Sequence, residues 1–360
     1  MCKFSTAVKI AREPGEIFNL NTERLLENKR QGICTSIFLD TNILLGISNY
    51  MSEIDSEPNQ SSLVKYNLKE FVDLCEYCQK YNIPFSLSPG FCMPEVSPDS
   101  FHDVKKRFDD FFPLHNLHVL DDPEGNNASP ILEIQNILSL PDDEIKIRSL
   151  PFLNTCAMLL TEITEPDSHP WGKFDRFLEL VKEYIGLFSE KELTVAKIVI
   201  GDIAKNNPDL LDKEGRDLVK DIQNNFSRTK KKKKPKTSEE AIRIAFNAAN
   251  DFTMVNVAVE RDKKSLDGIP MDVWLMSNDA KLINFLAKLF GYCVLVPDER
   301  GLLAEISIPK GFNVALMIYD AKVFSQKVAM DGNRKFVRID SDLWKVRVRE
   351  MISLLNSVIP

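Results

Sequence analysis

The sequence has no long hydrophobic run and few cysteines. No stretch approaches the roughly 18 apolar residues that a membrane-spanning helix requires, and the N-terminal residues lack the apolar segment typical of a secretory signal. The 7 cysteines are an odd number spread over 360 residues, which favours reduced thiols over a disulfide framework. We therefore expect a cytoplasmic protein with no membrane partner.

The composition is that of a globular protein. With 44% hydrophobic and 28% charged residues, the chain falls outside the disordered, collagen-like and coiled-coil classes. Its length of 360 residues is enough for about two domains, whose cores would need neither disulfides nor structural metals.

Positive charge is concentrated in one short run. Residues 228–236, RTKKKKKPK, carry seven positive charges, and without them the formal net charge would change from −7 to −14. Because the rest of the chain is acidic, any contact with nucleic acid must be local. The run is either a solvated linker or a nucleic-acid contact, and in a eukaryotic cell it would also fit a nuclear import signal. The candidate contact residues are Lys230, Lys231, Lys232, Lys233 and Lys234.

Strand and helix patterns alternate on both sides of a mostly helical block. The alternation predicts an α/β fold with a mainly parallel sheet flanked by helices and interrupted by a large helical insertion. The expected strands are 37–39, 83–87, 272–277 and 292–296, and the expected helices include 67–81, 237–261 and 281–290. Thr237 and Glu240 have the spacing of a capping box at the start of the second of these helices.

These patterns divide the chain into four parts. Residues 1–32 form an N-terminal extension, and residues 33–98 and 237–310 form a discontinuous α/β core. Residues 99–236 form the helical insertion, which ends in the lysine run. The remaining residues, 311–360, are predicted to form a hairpin near Asp331-Gly332 and a helix that begins near Ser341.

Acidic residues follow the predicted strands. Asp40 ends the first strand, Glu95 follows the second, and Asp279 lies two residues after Ser277, which ends the third. Ligands of open parallel sheets bind beyond the carboxyl ends of the strands, so these acids are candidates for a site. Asp298, after the next strand, is a candidate of second rank.

Two more aspartates differ in their expected position. Asp251 lies inside a helix, on or beside its apolar face, where an unpaired carboxylate would cost several kcal/mol. We therefore expect it to have a partner or a function. Asp272 begins its strand, so it should lie at the opposite end of the sheet from the other acids.

Clustered carboxylates need a counter-charge, and Mg²⁺ or Mn²⁺ is the natural one because hard divalent ions prefer oxygen ligands. Two such ions about 4 Å apart support in-line attack of water on phosphorus. The alternative for Asp40 and Asp279 is a purely structural role, because aspartates at strand ends are also common helix N-caps.

Four segments resemble the motifs of PIN-domain nucleases, in the same order. They are IFLDTNILL (37–45), SPGFCMPEV (88–96), NDFTMVNVAVE (250–260) and VWLMSNDAKL (273–282), and the resemblance covers roughly 30–98 and 237–310. Matched motif by motif, the family's metal-binding acids correspond to Asp40, Glu95, Asp251 and Asp279, and its supporting polar positions to Asn42 and Ser277.

The resemblance implies a Mg²⁺- or Mn²⁺-dependent endoribonuclease that cleaves single-stranded RNA and leaves a 5′-phosphate and a 3′-hydroxyl. A DNA nuclease of the same fold and an inert PIN-like RNA-binding or scaffold module are the alternatives. A protein inhibitor or partner and a homo-oligomer also remain open.

Two other classes of site are less well supported. A haloacid-dehalogenase-like phosphatase needs a second acid two residues after its nucleophile, and that position is Asn42. Cys75, Cys78, Cys92 and His102 would offer zinc ligands, but the first two fit the apolar face of a helix.

Overall fold

The computed structural model describes most of the chain. The described residues are 2–10, 17–54, 57–89, 96, 98–118, 120–121, 138, 142–164, 170–185, 190–200, 211–229, 233–262, 264–266, 268–289, 292–297, 303–308 and 341–359. Several predictions lie outside them: Glu95, Asp298, Lys230, Lys231, Lys232, Cys92 and the hairpin near Asp331-Gly332.

The chain forms two compact units. The first comprises Met1–Asn136 and Met254–Ile283, and the second comprises Ile137–Thr253 and Asn284–Pro360. None of the helices in the described ranges is long and apolar enough to cross a membrane.

The first unit contains a sheet and five helices that lie wholly within it, and the last of these helices falls inside the predicted insertion. Its strands are β1 (Lys3–Val8), β2 (Asn19–Asn21), β3 (Cys34–Leu39), β4 (Phe85–Ser88), β5 (Leu120–Asp121), β6 (Ser265–Leu266) and β7 (Ile269–Met276). Its helices are α1 (Thr22–Gln31), α2 (Thr41–Glu53), α3 (Gln60–Lys65), α4 (Lys69–Lys80) and α5 (Pro98–Leu114).

The sheet is open and mixed. Its strand order is β2-β1-β7-β3-β4-β5, with β6 attached to β7. β3 pairs in parallel with both β4 and β7, and β4 pairs in parallel with β5. β1 pairs antiparallel with β2 and β7, and β6 pairs antiparallel with β7. The α/β class with a helix-flanked sheet is confirmed, but the mainly parallel arrangement is wrong because half of the pairings are antiparallel.

The antiparallel pairings come chiefly from the N-terminal segment, which was predicted to be an extension outside the core. In β1, Phe4 is buried while Lys3 and Ser5 are exposed, and Ala7 and Val8 are buried. An alternation over six residues is too short to predict a strand clearly. Its pairing with β7 also joins segments about 270 positions apart, which no local pattern indicates. Residues 120–121, predicted within the helical insertion, also join this sheet as β5.

Local signals explain where α1 begins and ends. The side chain of Asn21 accepts a hydrogen bond from the backbone N–H of Arg24, which caps the first turn. Gly32 follows the last turn with φ = 68°, a left-handed conformation that glycine adopts without steric cost, and its N–H donates to the carbonyls of Asn28 and Lys29. α1 therefore ends just before β3.

The core of the first unit lies between the sheet and helices α2, α4 and α5. Large side chains such as Phe71, Phe111 and Trp274 are almost fully buried there. The thiols of Cys75 and Cys78 belong to the same core, and burial raises the pKa of Cys78 to about 12. The CxxC pair therefore consists of protonated thiols that pack as small hydrophobic side chains.

The second unit is mostly helical. Its elements, including two helices that it shares with the first unit, are α6 (Asp142–Thr164), α7 (Pro170–Leu180) continued by a π-helical turn (Val181–Ile185), α8 (Glu190–Ile200), α9 (Lys213–Phe226), α10 (Ser238–Arg261), α11 (Ala280–Leu289), β8 (Tyr292–Pro297), β9 (Leu303–Ile308) and α12 (Ser341–Val358). α12 is the predicted C-terminal helix, and it packs against α6.

One predicted strand pairs outside the main sheet. The strand expected at 292–296 is present as β8, but it pairs antiparallel with β9 in a two-stranded sheet of its own. The expectation that it belongs to the main sheet is therefore wrong for the described residues. A short apolar run predicts a strand, but its sequence does not say which strand pairs with it.

The predicted capping box at the start of α10 is present with one difference. The hydroxyl of Thr237 accepts from the backbone N–H of Glu240 at 3.2 Å. The Glu240 carboxylate accepts from the N–H of Lys236 at 2.8 Å, one residue before the position that an ideal box uses.

Candidate functional site

The candidate site lies where β3 and β7 end. These strands are parallel neighbours in register, with Leu39 opposite Met276, and the N–H of Asp40 donates to the Met276 carbonyl at 2.9 Å. The chain leaves β3 for β4 on one side, whereas β7 lies on the other side of β3. The order of strands therefore reverses between β3 and β7, and in open α/β sheets this switch point is where ligands bind, beyond the carboxyl ends.

A buried serine links the two acids at this point. The Ser277 hydroxyl donates to Asp40 Oδ2 at 2.5 Å and accepts from the backbone N–H of Asp279 at 2.9 Å. Ser277 is fully buried, so this geometry is shielded from competing water. One side chain thus fixes the position of Asp40 relative to the chain that carries Asp279.

Asp40 is not used as a helix cap. It occupies the N-cap position of α2, but its side chain makes no capping hydrogen bond there. Besides Ser277, the exposed Asn42 donates its Nδ2 to the same Oδ2 at 2.9 Å. Asp40 itself is only 7% exposed. The purely structural interpretation as an N-cap therefore does not account for this carboxylate.

Asp279 caps a helix with one of its two carboxylate oxygens. Its Oδ1 accepts from the backbone N–H of Leu282 at 3.3 Å, which caps the first turn of α11. Its side chain is only partly buried. The capping interpretation is therefore correct for one oxygen of Asp279, and it does not exclude a ligand at the carboxylate.

The electrostatics of the pair favour a bound cation. Burial raises the pKa of Asp40, and the nearby charge of Asp279 adds to the rise, while hydrogen bonds from Ser277, Asn42 and the Thr41 backbone oppose it. A divalent cation beside two carboxylates would relieve both the desolvation and the repulsion. Asp40 and Asp279 thus have the chemistry to hold Mg²⁺ or Mn²⁺.

In the described residues, Ser277 links two of the predicted acids, Asp40 and Asp279, whereas the sequence predicted that four would meet. Among the described residues, no three His, Cys, Asp or Glu side chains lie close enough together to hold a metal ion. Glu95 lies outside those residues. Asp251 lies in α10, partly buried, and follows the buried Asn250 in the stretch of the helix that belongs to the second unit.

Asp272 has the opposite electrostatic setting at the other end of β7. It pairs across the sheet with Thr35, near the start of β3, and so lies away from the carboxyl ends as predicted. The strand itself begins at Ile269, three residues earlier than predicted. Its carboxylate accepts from Lys9 Nζ at 2.6 Å and from Arg24 Nε at 2.9 Å. Two cations already neutralise Asp272, so it is not available to a metal ion.

The buried cation Lys9 was not predicted from the sequence. Its side chain is 2% exposed, and its ammonium group also contacts Asp262. A lysine after a short apolar run gives no signal of burial, because lysines are mostly exposed.

Comparisons with protein-family models, with curated proteins and with solved structures find no match to this chain.

Replacing Ser277 with alanine tests its role as the link between the acids. The change leaves Asp40 without one donor and the Asp279 N–H without its acceptor, so it should weaken Mn²⁺ binding by about 10- to 100-fold, as loss of an outer-sphere partner typically does. Isothermal titration calorimetry would measure this affinity. Ser36→Ala is the matched control, since Ser36 is a buried serine in β3 that precedes the acids. Equal Mn²⁺ affinities for Ser277→Ala and wild type would contradict the assignment.

Proposed function

We propose that this protein is a Mg²⁺- or Mn²⁺-dependent endoribonuclease that cleaves single-stranded RNA. The observation that carries the proposal is the pair Asp40 and Asp279 at the switch point of the sheet, linked by the buried Ser277. The four motifs in PIN-domain order support the same conclusion, because Asp40, Ser277 and Asp279 are among the six residues that the resemblance selects from the sequence.

The side chains have separate tasks in this proposal. Asp40 and Asp279 supply carboxylate oxygens to the metal, and Ser277 and Asn42 hold Asp40 in one orientation through bonds of 2.5 and 2.9 Å. Mg²⁺ or Mn²⁺, when bound, would provide Lewis acidity at the scissile phosphate and activate the attacking water. The resemblance adds Glu95 and Asp251 to the metal-binding acids, and it specifies products with a 5′-phosphate and a 3′-hydroxyl.

Cleavage should require a divalent ion. We expect labelled single-stranded RNA to be cut in Mg²⁺ or Mn²⁺ and left intact in EDTA, because the acids can act only by holding the ion. Parallel reactions with single-stranded DNA separate the ribonuclease from a DNA nuclease of the same fold. Cleavage that persists in chelator would refute the metal-dependent mechanism.

The same cleavage assay tests Asp251, whose role as a metal-binding acid is implied by the resemblance. Asp251→Asn should abolish cleavage and keep a wild-type circular dichroism spectrum. Full activity of this variant would remove Asp251 from the site, and an unfolded variant would make it structural. A protein that binds RNA but cleaves neither RNA nor DNA with Mg²⁺ or Mn²⁺ would be the inert binding module.

A further inference from the structure

A chain of hydrogen bonds leads from helix α4 to the candidate site. Glu70, in the first turn of α4, accepts at its Oε1 from the backbone N–H and from the hydroxyl of Thr6, both at 2.6 Å. The Thr6 carbonyl accepts from the Ser277 N–H at 3.0 Å. Ser277 in turn donates its hydroxyl to Asp40 Oδ2 at 2.5 Å. Glu70 is therefore connected to the Asp40 carboxylate through two intervening residues.

The first part of this chain lies in an irregular segment of β1. Phe4 and Val8 pair with consecutive residues of β2, and the register shifts between them, so Ser5, Thr6 and Ala7 have no partner in that strand. Interruptions of this kind are frequent next to functional sites, where they redirect a strand or a side chain. The position of the segment therefore depends on contacts other than the pairing of β1 with β2.

Side chains supply several of these contacts. The Ser5 carbonyl accepts from Asn19 Nδ2 at 3.1 Å, and the Ser5 hydroxyl donates to Glu70 Oε2 at 2.8 Å. Together with the two bonds from Thr6, three donors of β1 meet one carboxylate. Both oxygens of Glu70 thus bind the irregular segment, directly beside the residue that accepts from Ser277.

The alternative is that Glu70 only stabilises its own helix. An acidic residue in the first turn of a helix interacts favourably with the helix dipole, and this effect needs no contact with β1. The observed bonds go further, because they link the carboxylate to a strand more than 60 positions away along the chain. Hydrogen bonds to a charged acceptor are about twice as strong as those between neutral groups, so they can fix the position of Thr6.

We propose that Glu70 is a positioning residue of the metal site, which fixes Thr6 and, through it, the serine that holds Asp40. The inference rests on the proposed function only for the identity of the ligand, a divalent cation. Glu70 lies outside the four motif segments. It acts through Ser277 and not as a ligand, because its two oxygens already accept from β1.

The test measures Mn²⁺ affinity of the full-length protein by isothermal titration calorimetry. Glu70→Ala leaves the Thr6 N–H and hydroxyl without their acceptor, so it should weaken binding about tenfold, at the lower end of the range for loss of an outer-sphere partner. Glu70→Gln keeps one oxygen for Thr6 and should lose only about threefold, since bonds to a neutral acceptor are about half as strong. Glu76→Ala is the matched control, an exposed glutamate of the same helix, and should bind like wild type.

A double variant tests the path of the effect. In a Ser277→Ala background there is no hydroxyl left to position, so adding Glu70→Ala should cause little further loss of Mn²⁺ affinity. Effects of residues that act independently would instead multiply, to a further loss of about tenfold. Such multiplication would show that Glu70 does not act through Ser277.

A second readout needs no metal. The N–H of Ser277 donates to the Thr6 carbonyl, and the N–H of Asp279 donates to the Ser277 hydroxyl, whereas the N–H of Asp40 donates to Met276. In metal-free Glu70→Ala, the first two amides should lose protection against hydrogen exchange, and the Asp40 amide should keep it. A general loss of stability would expose all three together.

A milder variant covers the case in which Glu70→Ala does not fold. Thr6→Val removes one of the two bonds to Glu70 Oε1 and keeps a β-branched side chain in the strand. It should give the same pattern of exchange, with loss of protection at Ser277 and Asp279. Unchanged protection there would overturn the proposal.

Three other results would also overturn it. They are full Mn²⁺ affinity in Glu70→Ala, equal losses in Glu70→Ala and Glu76→Ala, and a rise in exchange that includes Asp40. Absence of Mn²⁺ binding by the wild-type protein would instead refute the proposed metal site. The exchange pattern would then still show whether Glu70 positions Ser277, so the two failures are distinguishable.

Discussion

Asp40→Asn should lower the cleavage rate about a thousandfold without lowering the stability of the metal-free protein. The carboxylate is one of those proposed to hold the ion, and losing about 4 kcal/mol of transition-state stabilisation corresponds to a factor of about 10³. Asparagine keeps an oxygen that can accept from Ser277 and Asn42, which now donate to Asp40 Oδ2 at 2.5 and 2.9 Å.

The expected effect on stability follows from the sign of the pKa shift. Burial raises the pKa of Asp40 in the folded protein, so the folded state holds this proton more tightly than the unfolded state does. The favourable contribution is present below the unfolded pKa of about 3.9 and is lost as the pH rises through the raised value. At neutral pH the ionised Asp40 therefore destabilises the metal-free protein, and the substitution removes this cost.

Thermal melts with and without Mn²⁺ measure both the binding of the ion and the stability of the metal-free protein, and they need no substrate. Wild type should gain stability from Mn²⁺, because an ion that binds only the folded state raises the free energy of unfolding, and Asp40→Asn should gain far less. Asp73→Asn is the control, since Asp73 is 41% exposed and pairs with Lys69 on the surface of α4. A large loss of stability in metal-free Asp40→Asn would show that Asp40 is structural.

The sequence was most informative about the carboxyl ends of β3 and β7. An apolar run that stops near an aspartate marks both the end of a strand and the polar edge of a sheet, and this local signal was enough to select Asp40 and Asp279. Ser277 was selected by the resemblance to the PIN-domain motifs. Their mutual geometry needed the register of Leu39 opposite Met276, which joins segments about 240 positions apart. A pattern within one segment cannot specify such a pairing.

The contacts that the sequence did not predict all cross long distances along the chain. Lys9 meets Asp272 and Asp262, more than 250 positions away, and Arg228 meets Glu162, 66 positions away. Each partner alone resembles an ordinary surface charge, because burial is decided by the elements packed around it. No pattern in the sequence therefore indicated that Arg228 and Lys234 contact Glu162.

Asp272→Asn should have the opposite effect on stability to Asp40→Asn, and a much larger one. Four side chains donate to the Asp272 carboxylate, which is 3% exposed, and each would meet an amide group in place of an anion. The donors are Lys9 at 2.6 Å, Arg24 at 2.9 and 3.0 Å, Asn28 at 2.6 Å and Trp274 at 2.8 Å. Removing one partner of a buried ion network costs about 3–5 kcal/mol.

This loss should be visible as a fall in melting temperature of about 10 °C at neutral pH. Asp73→Asn again serves as the control, because breaking an exposed pair changes stability by less than about 1 kcal/mol. Comparable melting temperatures for Asp272→Asn and Asp73→Asn would mean that the network around Lys9 does not stabilise the fold.

The pH dependence of the Asp272→Asn effect has a definite sign. Burial alone would raise the pKa of Asp272. Its partners nevertheless hold this pKa well below its usual value, through hydrogen bonds from Arg24, Lys9 and Asn28 and through the charge of Lys9. The stabilisation is therefore present above the unfolded pKa of about 3.9 and is lost as the pH falls towards the depressed value. The difference in melting temperature between wild type and Asp272→Asn should be constant from pH 7 to about pH 5 and should shrink below about pH 4. A difference that instead grew on acidification would mean that Asp272 is protonated in the folded protein, which its two cationic partners do not allow.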